Sequence, residues 1–259
     1  MEALLIIDPQ NDFCDPAGSL FVPGAQEDMN RLAAWARAKG AALQRLVLTL
    51  DSHRAWDISH PLFWRDRQGA LPAPFSQIVR DDVLTGRVRP VHKHLMEPVL
   101  TYLAQLEEGG RYQHTVWPEH CLIGSWGHNV AAPIFELCRD FEERRLKPVQ
   151  YHLKGLNPLT EHYSAVRAEV PQRGDDHTSV NQSLLDSLLD PAFETVYVAG
   201  EALSHCVAAT VEDCLAHAPG LAKKMVLIRN ASSAVPGFEA LAENHCRSFA
   251  EKGIRFLEI

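Results

Sequence analysis

The sequence predicts an α/β fold of three layers, α/β/α, with a mostly parallel six-stranded sheet and helices on both faces. Short apolar runs alternate along the chain with stretches that have a helical period of apolar residues. The first run, Ala3 to Ile7, is apolar throughout, as is typical of a strand buried on both faces of a parallel sheet. A chain of 259 residues could form one large domain or two small ones. The lack of a Ser- or Gly-rich linker favours a single domain over residues 1–259.

The strands follow from the apolar runs and from the residues that end them. Asp8-Pro9 ends the first run, Asp51 ends the second and Lys154-Gly155 ends the third. The predicted strands cover residues 3–7, 45–50, 149–153, 195–198, 225–229 and 254–258.

The helices follow from apolar residues at core spacing. Residues 130–145, for example, have Ile134, Leu137, Cys138 and Phe141 on one side. The predicted helices cover residues 26–39, 97–108, 130–145, 161–168, 182–189 and 238–252, with one more that begins near residue 206. Residues 11–24, rich in Asp, Pro and Gly, are predicted to be a loop.

Residues 61–116 form a predicted loop and helix insertion. Proline and glycine residues interrupt any period there until the helical stretch at 97–108. A loop-rich segment of this length inside a compact domain is usually functional, for example as a lid or a rim.

Composition excludes several classes of partner and site. The net charge is −8 and no basic cluster occurs, so no nucleic acid partner is expected. The apolar N-terminal run is too short for a membrane span and lacks the basic region of a signal peptide, so we expect a cytoplasmic protein without a membrane partner. The six cysteines have no C-x-x-C spacing, which signals neither a disulfide framework nor a cysteine zinc site. The oligomeric state is left open, with a homo-oligomer as one option.

Three chemically active residues come after three different predicted strands: Asp8, Lys154 and Cys206. The carboxyl ends of parallel strands meet at one edge of a sheet, where ligands bind. Cys206 stands near a helix start, where unpaired N–H groups and the helix dipole favour a thiolate. Asp8 could accept the thiol proton and Lys154 could stabilise the thiolate. Taken singly, each has a plainer interpretation: a turn cap, a solvated lysine and a packed cysteine.

A second cluster combines one carboxylate with imidazoles: Asp51, His53, His60 and His120. Such a set without cysteine suits one divalent ion, Zn²⁺, Fe²⁺ or Mn²⁺, with positions left open for water and substrate. The chain has 13 histidines, so most of them must be structural or solvent-facing.

Five sequence blocks resemble the isochorismatase-like cysteine hydrolases, and within them the nicotinamidases. The blocks occur in the family's order and span nearly the whole chain. They are Asp8-Pro-Gln-Asn-Asp-Phe13-Cys, Asp51-Ser-His53 with His60, Trp117-Pro-Glu-His120-Cys, Lys154-Gly to Tyr163-Ser-Ala165, and Gly200-Glu-Ala-Leu-Ser-His-Cys206.

The resemblance implies a metal-containing amidohydrolase that acts on a small amide, with nicotinamide as the lead case. Asp8 would be the acid and base, Lys154 the cation beside the thiolate, and Cys206 the nucleophile that forms a thioester. A cis peptide at Glu201–Ala202 would let the N–H groups of Ala202 and Cys206 form an oxyanion hole.

The resemblance also implies where the substrate binds. Phe13 and Trp117 match positions that flank the pyridine ring in nicotinamidases. Core packing is the alternative role for both residues.

The chain departs from the family pattern at four places. Glu201 stands where the family has an apolar residue, and we expect it to be a substrate contact or a salt-bridge partner of the insertion. Leu203-Ser204 replaces the common Thr-Asp, and the insertion at 61–116 and the spacing from His53 to His60 exceed the usual lengths.

Two other functions remain open from the sequence. One is a metal-free relative acting on isochorismate or on a ureido or carbamoyl compound; the set Asp51, His53 and His120 argues against it. The other is a catalytically silent ligand-binding protein on the same fold, which the joint presence of Asp8, Lys154 and Cys206 argues against.

Overall fold

A computed structural model describes all 259 residues, and its centre is a six-stranded sheet in which every neighbouring pair of strands is parallel. Its strands are β1 (Glu2–Ile7), β2 (Leu43–Asp51), β7 (Gln150–Lys154), β8 (Thr195–Gly200), β9 (Met225–Ile228) and β10 (Arg255–Leu257). The order across the sheet is β10-β9-β8-β1-β2-β7. The predicted fold class is confirmed.

Eight α-helices accompany the sheet: α1 (Asn11–Cys14), α2 (Ala25–Ala38), α3 (Arg80–Leu84), α4 (Met96–Gly109), α5 (Ala132–Arg145), α6 (Gln182–Leu189), α7 (Ala208–His217) and α8 (Glu239–Glu251). Right-handed crossovers place α2 and α5, which pack on each other, on one face of the sheet, and α6, α7 and α8 on the other. None of the helices combines the length and the apolar character that a membrane span requires.

The strand order reverses direction between β1 and β8, which creates a crevice at their carboxyl ends. At that point Ile7 lies opposite Gly200. Gly200 has a φ of 121°, and a side chain there would lie 2.0 Å from the Ile7 carbonyl oxygen. Only glycine allows the two chains to approach so closely. This approach brings Asp8 beside the turn that leads to Cys206.

Residues 61–116 carry their own small elements beside the main sheet. Two antiparallel ribbons pair β3 (Trp64–Asp66) with β5 (Val88–Pro90) and β4 (Gln77–Ile78) with β6 (His114–Thr115). Together with α3 and α4 they surround a second hydrophobic cluster of 13 buried residues, separate from the main core cluster of 58.

Some local predictions are wrong or need adjustment. Residues 161–168 form no helix; they run as irregular chain, and the Ala165 N–H donates to the Thr210 hydroxyl at 2.9 Å. Their apolar spacing reflects burial around the crevice instead of a helix face. The predicted loop at 11–24 begins with the short helix α1. The helix expected from Cys206 begins as a π-helical turn, Leu203–Val207, that continues into α7. The short strands of the insertion carry no clear period and were not predicted.

Candidate active site and metal centre

Asp8, Lys154 and Cys206 meet at the carboxyl edge of the sheet. Asp8 follows β1, Lys154 ends β7, and Cys206 lies in the π-helical turn after β8. The Lys154 Nζ lies 3.0 Å from Asp8 Oδ2 and 3.6 Å from the Cys206 Sγ. All three side chains are buried. The sequence therefore predicted a set of residues that the fold brings into direct contact.

Hydrogen bonds fix the orientation of Asp8. The Thr49 hydroxyl donates to Asp8 Oδ1 at 2.6 Å, and the Asp8 N–H donates to the same hydroxyl oxygen at 3.0 Å. Asp8 has a φ of 46°, which turns the chain out of β1. One carboxylate oxygen is thus held by Thr49, while the other faces Lys154.

The electrostatics of the three residues favour a charged lysine and a protonated thiol. Burial lowers the pKa of Lys154, but Asp51, Asp8 and Cys206 outweigh it and raise the pKa well above the usual range. Burial raises the pKa of Asp8, although Lys154 opposes the shift. Burial also raises the pKa of Cys206 well above its usual range, more than Lys154 lowers it. The expectation of a thiolate stabilised by the helix start is therefore wrong, because desolvation is the larger effect. The thiol needs a base, and Asp8 is the adjacent one.

Lys154 also connects these residues to the second predicted cluster. Its Nζ donates to Asp51 Oδ1 at 2.9 Å and to the His162 carbonyl oxygen at 2.9 Å. The other carboxylate oxygen, Asp51 Oδ2, lies 3.1 Å from His53 Nε2 and 3.4 Å from His120 Nε2. Burial raises the pKa of Asp51, but His53 and Lys154 outweigh it and hold the pKa well below the usual range. Asp51 is thus an ionised carboxylate shared by both clusters.

His53, His60 and His120 converge so closely that their ligand atoms all lie within 4.8 Å of one another. Each ring has an Nδ1 partner: Asp57 Oδ2 at 3.1 Å for His53, the Arg54 carbonyl at 3.1 Å for His60, and the Pro118 carbonyl at 2.8 Å for His120. Such partners fix the tautomer and leave Nε2 as the ligand atom.

Burial, followed by repulsion from His120 and His53, lowers the pKa of His60 to about 3, so this imidazole is neutral. Burial lowers the pKa of His53, but Asp51 and Asp57 outweigh it and raise the pKa well above the usual range, so a bound metal ion would displace the proton there. Imidazoles beside an ionised carboxylate match the donor set that a divalent ion takes. This buried group of three histidines could therefore hold a metal ion.

A small pocket opens between Cys206 and the histidine cluster. It is lined by Phe13, Leu20, Asp51, Trp117, His120, Glu161, Tyr163, Ala202, His205, Cys206 and Val235. The Phe13 ring meets the His120 ring edge-on, with centroids 5.5 Å apart. The Trp117 indole N–H donates to the Tyr163 hydroxyl at 3.0 Å. The pocket thus has aromatic walls, with Cys206 and Ala202 on one side and Asp51 and His120 on the other.

Sequence reasoning missed Glu161, Tyr163 and His205 as lining residues. Burial raises the pKa of Glu161 to about 7, and its Oε2 meets no protein donor. Glu161 and Tyr163 lie within the block after Lys154, but that segment was interpreted as a helix. Treating it as irregular chain running from a strand end would have placed both side chains at the crevice.

Of the two residues joined by the peptide bond at the predicted oxyanion hole, Ala202 lines the pocket and Glu201 does not. The peptide bond between Glu201 and Ala202 is cis, as the resemblance implied. The Ala202 N–H donates to no protein acceptor, and Ala202 lines the pocket beside Cys206. Glu201 does not line the pocket and has no salt-bridge partner in the insertion. Its Oε2 accepts the Ser233 N–H at 3.0 Å, on the far side of the turn.

Two curated relatives cover most of the chain. It is 26% identical over 211 residues to a nicotinamidase of Saccharomyces cerevisiae, covering 81% of this chain and 79% of the relative. It is 29% identical over 216 residues to a nicotinamidase of Escherichia coli, covering 82% of this chain and 76% of that relative. The chain is thus nicotinamidase-like, and its motifs and fold are similar to those of the isochorismatase-like hydrolases. No family model matches the sequence.

Solved structures share the fold of this hydrolase. The yeast nicotinamidase bound to the inhibitor nicotinaldehyde superposes with a TM-score of 0.69 and 20% identity, covering 100% of both chains. The pyrazinamidase of Pyrococcus horikoshii in complex with zinc gives a TM-score of 0.57 at 20% identity, covering 100% of this chain and 99% of the other. At this identity the two structures support the architecture of the sheet and helices.

Proposed function

We propose that this hydrolase cleaves the C–N bond of a small planar carboxamide, with nicotinamide as the lead substrate, through a thioester on Cys206. The observation that carries the proposal is the contact of Lys154 Nζ with both Asp8 Oδ2, at 3.0 Å, and Cys206 Sγ, at 3.6 Å, beside an aromatic pocket. A nucleophile, a base and a cation in mutual contact are the requirements of covalent amide hydrolysis.

In the first half of the cycle, Asp8 takes the proton from the Cys206 thiol, and the thiolate attacks the amide carbon. Lys154 stabilises the negative charge while it lies on sulfur. As the carbonyl oxygen becomes anionic, the N–H groups of Ala202 and Cys206 donate to it, and each such donor is typically worth about 3–4 kcal/mol. Asp8 then gives its proton to the leaving nitrogen, and ammonia departs.

In the second half, Asp8 takes a proton from a water molecule that attacks the thioester carbon. The tetrahedral intermediate collapses, the carboxylic acid leaves, and the thiol recovers its proton from Asp8. The raised pKa of Asp8 suits both tasks, because a base that binds the proton more firmly also accepts it more readily from a thiol.

A metal ion fits the residues next to this site. Asp51, His53, His60 and His120 would hold one divalent ion, and such an ion would supply Lewis-acid polarisation of a substrate ring nitrogen or a water molecule. Phe13 and Trp117 would bind the faces and edge of the ring. We also infer that the whole chain acts as one domain, with residues 61–116 as an insertion at the rim; Phe75 of that insertion packs edge-on against Trp117, with ring centroids 5.8 Å apart.

The experiment is a screen for ammonia release over aromatic amides, aliphatic amides and ureido compounds. We expect the wild-type protein to act best on a pyridine or pyrazine carboxamide. The Cys206→Ala variant should lose the activity, while Cys246→Ala, which removes a cysteine of α8 that does not line the pocket, should keep it. Ammonia release that survives in Cys206→Ala, or preferential release from ureido compounds, would contradict the proposal.

A further inference from the structure

Glu201 is a buried acid without a cation. It is 0% exposed and directly precedes Ala202. Its Oε2 accepts the Ser233 N–H at 3.0 Å, but its Oε1 is buried and meets no protein donor. No Lys, Arg or His forms a salt bridge with it, in contrast to Asp8 and Asp51, which share Lys154. An ionised carboxylate in such surroundings would be strongly destabilising.

The ionisable group that acts most strongly on Glu201 is a second acid, Asp28, in the first turn of α2. The two carboxyl groups lie within hydrogen-bonding reach of each other. The Ser233 hydroxyl donates to Asp28 Oδ2 at 2.6 Å. The other groups that face the pair are Arg31 and Glu27 on α2, with Arg31 3.5 Å from Asp28 Oδ1, and the Cys14 thiol on α1. Burial, followed by repulsion from Asp28, raises the pKa of Glu201 well above its usual range. A hydrogen bond between two acids requires a proton, and Oε1 is the atom that lacks any other partner.

The same contacts enclose the turn that carries Ala202. The Glu201 N–H donates to the Ile7 carbonyl at 2.8 Å, and the Leu203 N–H donates to the Ser233 carbonyl at 2.7 Å. Ser233 therefore contacts the residue before Ala202 and the residue after it. Asp28 in turn connects Ser233 and Glu201 to helix α2. These bonds fix the backbone on both sides of Ala202, which lines the pocket.

We propose that Glu201 is a positioning residue for the oxyanion hole: it keeps its proton, donates it to Asp28, and with Ser233 holds the Ala202 N–H toward Cys206. Its effect on catalysis rests on the function proposed above. Glu201 touches no substrate in this account. It acts through the backbone that it fixes, which explains why a glutamate occupies a position next to the nucleophile turn without lining the pocket.

The first test measures the proton directly and does not depend on activity. The fold keeps Glu201 protonated. The unfolding free energy that this proton contributes is therefore present below the pKa of Glu201 in the unfolded chain, about 4.5. It is lost as the pH rises through the higher pKa of Glu201 in the folded protein. Glu201→Gln keeps a neutral donor and acceptor at every pH. We expect the unfolding equilibrium constant of the wild type, relative to that of Glu201→Gln, to rise about tenfold per pH unit from pH 5 upward in urea titrations. A ratio that is constant with pH would show that no proton is held and would overturn the proposal.

The second test measures positioning. We expect Glu201→Ala to lower kcat for the best amide about tenfold or more with KM changed less than about threefold, because an oxyanion donor acts mainly in the transition state. Glu201→Gln should stay within about threefold of the wild type in both constants. Val226→Ala, a core truncation in β9, controls for general loss of stability. An unchanged kcat in Glu201→Ala, or an equal loss in Val226→Ala, would refute a positioning role. If Glu201→Ala does not fold, Ser233→Ala removes the hydroxyl that donates to Asp28. That variant should show the same fall in kcat with little change in KM.

A third measurement separates this inference from the proposed function. Pyridine-3-carbaldehyde can add to the Cys206 thiol: a bond forms between Sγ and the aldehyde carbon, and the thiol proton passes by way of Asp8 to the oxygen, which then lies at the oxyanion hole. We expect the adduct to be at least about fivefold weaker in Glu201→Ala than in Glu201→Gln. A wild type that forms the adduct but releases no ammonia would contradict the proposed function alone. Equal adduct affinity in both variants would contradict the positioning role alone.

Discussion

Lys154→Met should destabilise the fold far more than the same substitution at a lysine that water reaches. Lys154 Nζ lies 3.0 Å from Asp8 Oδ2 and 2.9 Å from Asp51 Oδ1, and the lysine side chain is only 2% exposed. Methionine preserves most of the side-chain volume, but it leaves two buried carboxylates without their cation. Removing one partner of a buried ion pair costs about 3–5 kcal/mol, because the remaining charge stays desolvated.

The matched control is Lys39→Met. Lys39 forms an ion pair with Glu2 at 3.1 Å, but both side chains are 23% exposed. Pairs that water reaches contribute about 0–1 kcal/mol. Urea unfolding of the wild type and both variants at pH 7 measures the difference. We expect Lys154→Met to lose at least about 3 kcal/mol of unfolding free energy and Lys39→Met at most about 1 kcal/mol. Equal losses would refute the account of Lys154 as the cation that compensates two buried carboxylates.

Three further predictions concern the metal, the pH dependence and the pocket. Elemental analysis should find about one divalent metal ion per chain, with the ion lost in Asp51→Asn and His53→Ala; metal content unchanged in both variants would rule out this ligand set. Burial raises the pKa of Glu161 to about 7. In the metal-free protein, the unfolding free energy that the Glu161 proton contributes is therefore present below pH 4.5, and it is lost as the pH rises to about 7. Glu161→Gln should therefore gain stability relative to the wild type by up to about 3 kcal/mol across that window in urea titrations, and parallel pH curves would contradict the assignment. Trp117→Leu should raise KM for the best amide about 2- to 10-fold, since an aromatic contact contributes about 0.5–1.5 kcal/mol beyond its area, and an unchanged KM would place Trp117 outside the binding surface.

The sheet and the ends of its strands could be predicted from the sequence because each central strand is a continuous apolar run with a polar stop. Ala3 to Ile7 is buried at every position, and Asp8 follows it immediately, so the pattern fixes both the strand and the position of the carboxylate. The stretch Val149 to Leu153 is mixed in character, and there the Lys154-Gly155 stop placed Lys154 at the end of β7. Contact between these side chains then follows from parallel topology, with no information about distances needed.

Other features depend on long-range contacts that no local pattern encodes. Residues 161–168 have apolar spacing typical of a helix, but they are buried by the crevice and hydrogen-bonded to α7. The resting state of Cys206 was mispredicted because the helix start is visible in the sequence, whereas the depth of burial that raises the pKa of the thiol is not. Glu201 was expected at the substrate or the insertion, yet its partners, Asp28 and Ser233, lie far away in the sequence and on the other side of the turn.

The most direct test of the central claim is intact-protein mass spectrometry during turnover of nicotinamide, stopped with acid at early times. We predict a species heavier than the free protein by one nicotinoyl group, located by peptide mapping on Cys206 and absent in Cys206→Ala. Turnover in which no acyl group is found on Cys206, with hydrolysis equally fast in the Cys206→Ala variant, would contradict the claim that this cysteine is the nucleophile.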